Sequence, residues 1–454
     1  MPVSPIDYGR YGNPQMVQIF EEEHRHALWL MVEKTVAKAQ AELGMIPKDA
    51  AEDIMENANP ETVTLARTLE LEERTRHDVA ALFEAIAEKC NGSGARWVHF
   101  GLTSNDIKDT ALGLQLKASY EVLLPQVDLL ARTLATAAQK TKGILAIGRS
   151  HGQHAVPITY GLRFSVWLDE VMRHRERLVA SSKTAAVGKI AGATGSHAAL
   201  GSIGLDLQRS VMKELGLSVP LATTQIIQRD RHAETILNLA NLAASVEKIA
   251  TDIRNLQRTE IGEVSEPFAQ GRQVGSSAMP HKRNPVTCEK VCGIARTIRS
   301  LAAPALEDVV SWEERDISHS STERFVIPQA FILTDYIVRE MTAIISGLEL
   351  HTEAIERNLK GSNESTLSEY ILTQLIRSGL ERPKAHEILR NLTTRALKEN
   401  ISLIEAVSAD DQTSEVFAHA EIDVEKYLQS IRDTSVLIVD ETVRKLDKML
   451  DTTE

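Results

Sequence analysis

The chain has 454 residues, 25 % of them charged, only 4 % aromatic, and a formal net charge of −12. That length asks for more than one hydrophobic core, and an acidic chain without a basic block is a poor nucleic-acid binder. No apolar run is long enough to span a bilayer, no secretory signal is read at the start, and three cysteines (Cys90, Cys288 and Cys292) cannot build a disulfide framework. A cytoplasmic location with no membrane partner is expected.

In chain order, Tyr8-Gly9-Arg10-Tyr11 comes first, then the polar stretch Thr75-Arg76-His77-Asp78. Asn91-Gly92-Ser93-Gly94 breaks the chain, and Thr103-Ser104-Asn105-Asp106 reads as the start of a long helix. Leu112, Leu116, Leu123, Val127, Leu130 and Leu134 carry that helix to about residue 140, with a kink expected at Pro125. Further helices are predicted over about 159–180 and 233–258. The second has apolar residues on more than one face and should be buried on several sides. Alternating strand patterns are nearly absent, so the fold class is all-α, with long helices packed in a bundle. Gly361-Ser362-Asn363-Glu364-Ser365-Thr366 is the next polar break, followed by shorter amphipathic helices. Three domains are expected: 1–108, a long-helix domain over 109–361, and a small helical domain over 362–454. Neither G-x-G-x-x-G nor a Walker-type loop occurs, so nothing supports a nucleotide cofactor fold.

The most informative stretch is Gly275-Ser276-Ser277-Ala278-Met279-Pro280-His281-Lys282-Arg283-Asn284-Pro285, approached by Gly271-Arg272-Gln273-Val274. Small residues let backbone amides approach a carboxylate, and Lys282 adds a positive charge. Asn284 is expected as a helix N-cap with Pro285 at the first helical position, turning a positive dipole end toward the loop. Arg149-Ser150-His151-Gly152-Gln153-His154-Ala155 offers histidines suited to proton exchange near neutrality. A metal site on His151 and His154, or on Cys288 and Cys292, lacks a third ligand nearby in sequence; a structural role for either pair stays open. In the segment Trp312–Arg324, Ser320 and Glu323 form a capping-box pattern with Arg315 and Arg324 on either side, an arrangement suited to a phosphate.

The run from Gly275 to Pro285 closely resembles the signature loop of the fumarase/aspartase superfamily, whose members split fumarate from a substrate by elimination. The N-terminal Tyr8–Tyr11 stretch, the segment Thr224–His232 and the segment Trp312–Arg324 resemble the adenylosuccinate lyase family within it, and the resemblance covers essentially the whole chain. Ser150 stands where threonine is expected, and Gly188–Ser196 is a variant of a related glycine-rich segment.

The resemblance implies that Ser276 is the general base, aided by Lys282, and that His151 is the general acid, paired with Glu289. It implies substrate contacts at Arg10 and Tyr11, at Arg76, His77 and Asp78, and at Thr103, Ser104 and Gln225. Asn284, Arg315, Ser320 and Arg324 complete the set, and His77 and His99 match active-site histidines that position the substrate phosphate or leaving group. It further implies a phosphorylated small-molecule substrate, no metal or organic cofactor, and a homotetramer in which each site draws on three chains. Relatives such as carboxymuconate cycloisomerase and argininosuccinate lyase, which carry similar loops, are the alternatives. A non-catalytic structural homologue would be expected to have lost Ser276, His151, Lys282 and Glu289; all four are present.

Overall fold

The computed structural model describes residues 4–268, 278–279, 281–361, 364–417 and 423–451. Helices dominate it, and the longest are Ser104–Thr141, Tyr160–Ala185, Asp230–Leu256, Ser318–Ser346 and Val424–Asp451. The first runs through Pro125 without ending. The helix expected over 233–258 has Ile236, Leu239, Leu242, Val246, Ile249 and Ile253 fully buried, and only Leu237 of its apolar residues is substantially exposed. Its apolar surface therefore does meet neighbours on more than one side. No described helix is long and apolar enough to cross a membrane.

Two compact units are present. One comprises Met1–Val127, Arg173–Val246 and Gly293–Arg339; the other comprises Asp128–Met172, Glu247–Cys292 and Glu340–Glu454. In the first, Leu30, Val32 and Val36 of the helix Glu22–Glu42 pack with Leu82 and Ile86 of the helix Asp78–Ala87, with Ile107 and Ala111, and with Leu207 and Val211. Burying each such side chain contributes roughly 1.5–3 kcal/mol, and together they anchor the polar stretches that border these helices. In the second, Leu367, Ile371, Leu375, Leu389, Leu392, Leu403 and Val407 form a separate small core.

Sequence periodicity misses one element that matters for function. Leu145–Ser150 and Gln153–Thr159 form an antiparallel hairpin. Its two-residue turn is His151-Gly152, with φ of 54° and 75°, the positive angles that a type I′ connection demands. The register slips between Ile147 and Arg149, where Gly148 faces two residues of the second strand, Ala155 and Val156, a bulge in that strand. Gly148 has no alternative here, because a Cβ would lie 2.6 Å from the Val156 carbonyl oxygen. Replacing it (Gly148→Ala) should cost about 1–3 kcal/mol through overpacking and disturb the turn. Thermal unfolding and amide exchange at residues 150–153 would register both effects.

Candidate active site

In the first unit the polar stretches converge on the first turns of the helix Ser104–Thr141. Asp106, three residues past Thr103, turns its carboxylate back to accept the Thr103 backbone N–H at 2.9 Å, half of a capping box. It is also the fully buried partner of Lys189 Nζ at 2.5 Å and accepts the Ala191 amide at 2.9 Å. The start of this helix is thereby tied to the glycine-rich 188–195 segment.

One turn on, Asp109 accepts both terminal nitrogens of Arg229, at 2.9 and 3.0 Å, and the Ile227 amide at 2.7 Å. Arg229 reaches on to Glu323 at 2.9 Å, and Glu323 accepts from His232 Nδ1 at 2.9 Å. Burial alone would push the Asp109 carboxyl up, but the guanidinium and the Ile227 amide outweigh it and hold the group far below the carboxylate range. Glu323 is lowered against the same burial by Arg229 and His232.

This corrects one expectation. Glu323 is no capping partner of Ser320: the helix begins at Ser318, whose amide is taken by Asp316 at 2.7 Å, and Glu323 turns inward. A buried arginine held by one carboxylate still has donors to satisfy, and Glu323 supplies the second acceptor.

The network places several of the expected substrate residues together. Arg315 donates to Gln225 Oε1 at 3.0 Å, and Gln225 Nε2 lies 3.5 Å from the Thr103 hydroxyl. Asp78 holds Lys108 at 2.7 Å with Arg324 at 3.6 Å. Burial raises the Asp78 carboxyl, yet Lys108 more than offsets it and the net shift is downward. Arg315, Ser320 and Arg324, with Arg25, Lys108 and Trp29, line a cavity of about 230 Å³. Lys108 is committed to Asp78 and Arg25 to Glu22. Arg315 is bonded to a neutral amide, so its charge remains available to an anion.

The remaining candidates of this unit stand apart from that cavity's lining. Arg10 is exposed and lies over the Tyr11 ring at 5.9 Å, and Tyr11 faces Tyr336 at 5.6 Å. His77 is the N-cap of the helix Asp78–Ala87, its Nδ1 accepting from Ala80. Ser104 opens the long helix and is partly buried. His99 bonds Glu33 at 2.5 Å and stacks on Phe83; burial opposes its charged form, but Glu33 prevails and raises its pKa. Three candidate residues, Arg76, His99 and His151, have left-handed backbones with φ of 53°, 59° and 54°. That conformation costs roughly 1–2 kcal/mol for a side-chain-bearing residue, and such strain collects at functional positions.

In the second unit His151 is exposed at the hairpin tip. Below it, buried Glu263 accepts from Arg149 at 2.6 Å, Tyr160 at 2.7 Å and Asn358 at 2.9 Å. Lys282 and Glu289 are exposed, and among the described residues no hydrogen bond or ion pair joins His151 to Glu289. Ser276 lies outside the described residues.

A second expectation is corrected at the neighbouring helix. It runs Val286–Ser300, so Pro285 rather than Asn284 occupies the cap position, its carbonyl accepting from Glu289. The first free amides, those of Thr287 and Cys288, donate to the buried Glu266 carboxylate at 3.0 Å each. Glu266, having been buried, takes the positive end of this helix for itself.

Asp106, Asp109, Lys189, Arg229, Glu263 and Glu266 are thus organising residues that motif reasoning passed over. The pair Asp106 and Asp109, one turn apart on a predicted helix start and among apolar neighbours, was the one legible signal.

Comparison with known proteins accords with this geometry. Residues 9–300 match a protein family described as Lyase. The chain is 41 % identical to an adenylosuccinate lyase of Methanocaldococcus jannaschii over 446 residues, which is 98 % of this chain and 96 % of that protein. The chain belongs to this lyase family. It is also 45 % identical to the adenylosuccinate lyase of Methanothermobacter thermautotrophicus, over 90 % of each chain, and 40 % identical to that of Bacillus subtilis, over 89 % of this chain and 92 % of that one. Among solved structures, a fumarate lyase from Mesorhizobium sp. BNC1 superposes with a TM-score of 0.85 at 28 % identity, over 97 % of this chain and 99 % of that one. A 3-carboxy-cis,cis-muconate lactonizing enzyme from Pseudomonas putida gives 0.86 at 28 %, over 98 % and 100 %. Both are consistent with the all-α fold expected of the superfamily.

The lowered carboxyls set a pH dependence for the lyase fold. The stability contributed by Asp109 and Glu323 is fully present above the ordinary carboxylate range, about 4, and is lost as the pH falls toward their depressed folded values. The wild-type melting temperature should therefore drop steeply below that range. Asp109→Asn, which leaves Arg229 short of charge, should cost about 3–5 kcal/mol near neutrality and flatten the acid limb of the same melting curves.

Proposed function

We propose that the protein catalyses the elimination of fumarate from adenylosuccinate, giving AMP, and from succinylaminoimidazole carboxamide ribotide, giving the carboxamide ribotide, both in purine synthesis. The observation that carries this reading is the near-full-length identity of 40–45 % to adenylosuccinate lyases, set beside 28 % to the lactonizing enzyme and fumarate lyase of the same fold. The cavity with Arg315, Ser320 and Arg324 supports a phosphorylated substrate, since guanidinium groups and a hydroxyl suit a phosphate.

The chemistry needs a base, an acid and preorganised positive charge. Ser276 removes a proton from the carbon beside a carboxylate of the succinyl group. The electrons of that C–H bond pass into the carboxylate, which then carries an extra negative charge stabilised by Lys282. Collapse of this intermediate forms the fumarate double bond and breaks the C–N bond, and His151, the general acid supported by a Glu289, returns a proton to the departing nitrogen. Asn284 assists in holding the fumarate portion, while Arg76, His77, Asp78, His99, Thr103, Ser104 and Gln225 bind the rest of the substrate.

The assembly belongs to the same proposal: a homotetramer in which three chains contribute to each site, and three domains with limits near 108 and 361. Exposed Val310, Trp312, Ile317 and Phe325, beside the substrate-binding segment, support association. The exposure of His151 and Glu289, which form no pair with each other among the described residues, agrees with completion by other chains. Sedimentation should give a tetramer, and a monomer would remove the shared-site arrangement. A cytoplasmic location is proposed on the absence of a membrane-crossing helix among the described residues and on the metabolic role.

The decisive test is an ultraviolet assay with adenylosuccinate, quantifying fumarate and AMP. Turnover should fall by roughly 10²–10⁴-fold in Ser276→Ala and in His151→Ala. No conversion by folded wild-type protein would reject the reading, and carboxymuconate and argininosuccinate would then be the substrates to try.

A further inference from the structure

We propose that Asn105 and His319 form a hydroxyl-reading floor in the cavity of the first unit and position the sugar of the bound ribotide. The proposal rests on the functional reading above and deepens it. Both residues are 2 % exposed, both line the cavity that holds Arg315, Ser320 and Arg324, and among the described residues neither Asn105 Oδ1 nor His319 Nδ1 has a hydrogen-bond partner. Buried polar atoms of native proteins are nearly always paired, and two orphans on residues that line one cavity mark where a small adjustment around a ligand would complete the set.

The chemistry of the missing partner follows from what surrounds each atom. Asp109 is an ionised acceptor, so Asn105 must offer it the NH₂ end of its amide, at 3.1 Å. That leaves the carbonyl end, which can only accept, as the unpartnered atom of a residue in the cavity lining. A fully ionised phosphate oxygen has no proton to give it, whereas a hydroxyl has. His319 is kept neutral by burial and by the nearby Arg229 charge. A neutral imidazole nitrogen gives or receives one hydrogen bond, and a hydroxyl complements it either way. An anion offers the Asn105 carbonyl nothing, whereas an uncharged hydroxyl-bearing group satisfies both Asn105 and His319.

Position selects which part of the substrate this is. His319 precedes Ser320 on the first turn of the helix Ser318–Ser346, and Arg324 follows one turn later. With the phosphate against Arg315, Ser320 and Arg324, the group one ester bond away is the ribose. Asn105 lies between Ser104 and the Asp109 clamp, so its amide cannot rotate away without losing the bond to Asp109. Asn105 and His319 are positioning residues on this account and take no part in proton transfer.

The test compares inhibition of adenylosuccinate turnover by AMP, 2′-deoxy-AMP and 3′-deoxy-AMP. In wild-type protein at least one deoxy analogue should inhibit about tenfold more weakly than AMP, the effect of one lost hydrogen bond to a buried polar group. In Asn105→Ala and His319→Ala that preference should collapse toward equality, with KM rising by a larger factor than kcat falls; His319→Gln, which keeps a polar atom there, should restore part of it. Equal inhibition by all three nucleotides in wild type overturns the sugar assignment while leaving the activity standing. A preference unchanged in both alanine variants overturns the assignment to these residues. Absence of both turnover and nucleotide inhibition removes the functional reading and this inference together. The wild-type comparison needs no variant, so a misfolded mutant does not block the decision.

Discussion

Two carboxylates one helical turn apart, Asp106 and Asp109, determine how the first unit is organised. Each is buried, and a buried charge is tolerated only with an opposite charge and enough hydrogen-bond donors around it. Asp106 draws in Lys189 and the amides of the glycine-rich segment, and Asp109 draws in Arg229, which in turn captures Glu323 and His232. Segments more than eighty residues apart in sequence are thereby fixed against one helix end. The side chains proposed to bind substrate are placed because their neighbours are spoken for: Arg315 is left to a neutral glutamine and the cavity, and Ser320 and Arg324 belong to a helix whose Glu323 is locked inward. Removing one partner from such a network costs more than the pair contributes, which makes its geometry unusually determined.

The second unit repeats the device with different purpose. Glu263 gathers Arg149, Tyr160 and Asn358 beneath the hairpin, and Glu266 closes the positive end of the helix Val286–Ser300. Burial raises the Glu263 carboxyl, but Arg149, Tyr160 and Asn358 together bring it below its ordinary range, so it is a fixed anion and has no part in moving protons near neutrality. His151, exposed in the turn of that hairpin, is one of the groups proposed for the chemistry. Rigid support beneath an exposed group is what preorganised catalysis requires, since catalytic groups must be held without being consumed by their own scaffold.

Much of the architecture was legible because helical periodicity is local. Apolar spacing over residues 233–258 located a buried helix within three residues at its start and two at its end, and the Thr103-Ser104 pair marked the beginning of the longest one. The hairpin carrying His151 was not legible: its strands are six and seven residues long, and the second holds both a bulge and a proline. Only the His151-Gly152 dipeptide hinted at a turn. The ion-pair networks were invisible for a different reason, since Asp109 and Arg229 are 120 positions apart and no spacing rule links them. Glu323 and Asn284 misled for a third reason. Each fits a local capping pattern, and in each case a buried charge with a longer reach decided the outcome.

If the clamped helix start presents Arg315, Ser320 and Arg324 to the phosphate of a ribotide, a crystal structure of the protein with AMP bound will show it most plainly. Phosphate oxygens should then lie at hydrogen-bond distance, about 2.7–3.2 Å, from those three side chains, with the Asp109–Arg229–Glu323 network unchanged. A phosphate bound elsewhere, or a network that opens to admit the nucleotide, would refute that placement.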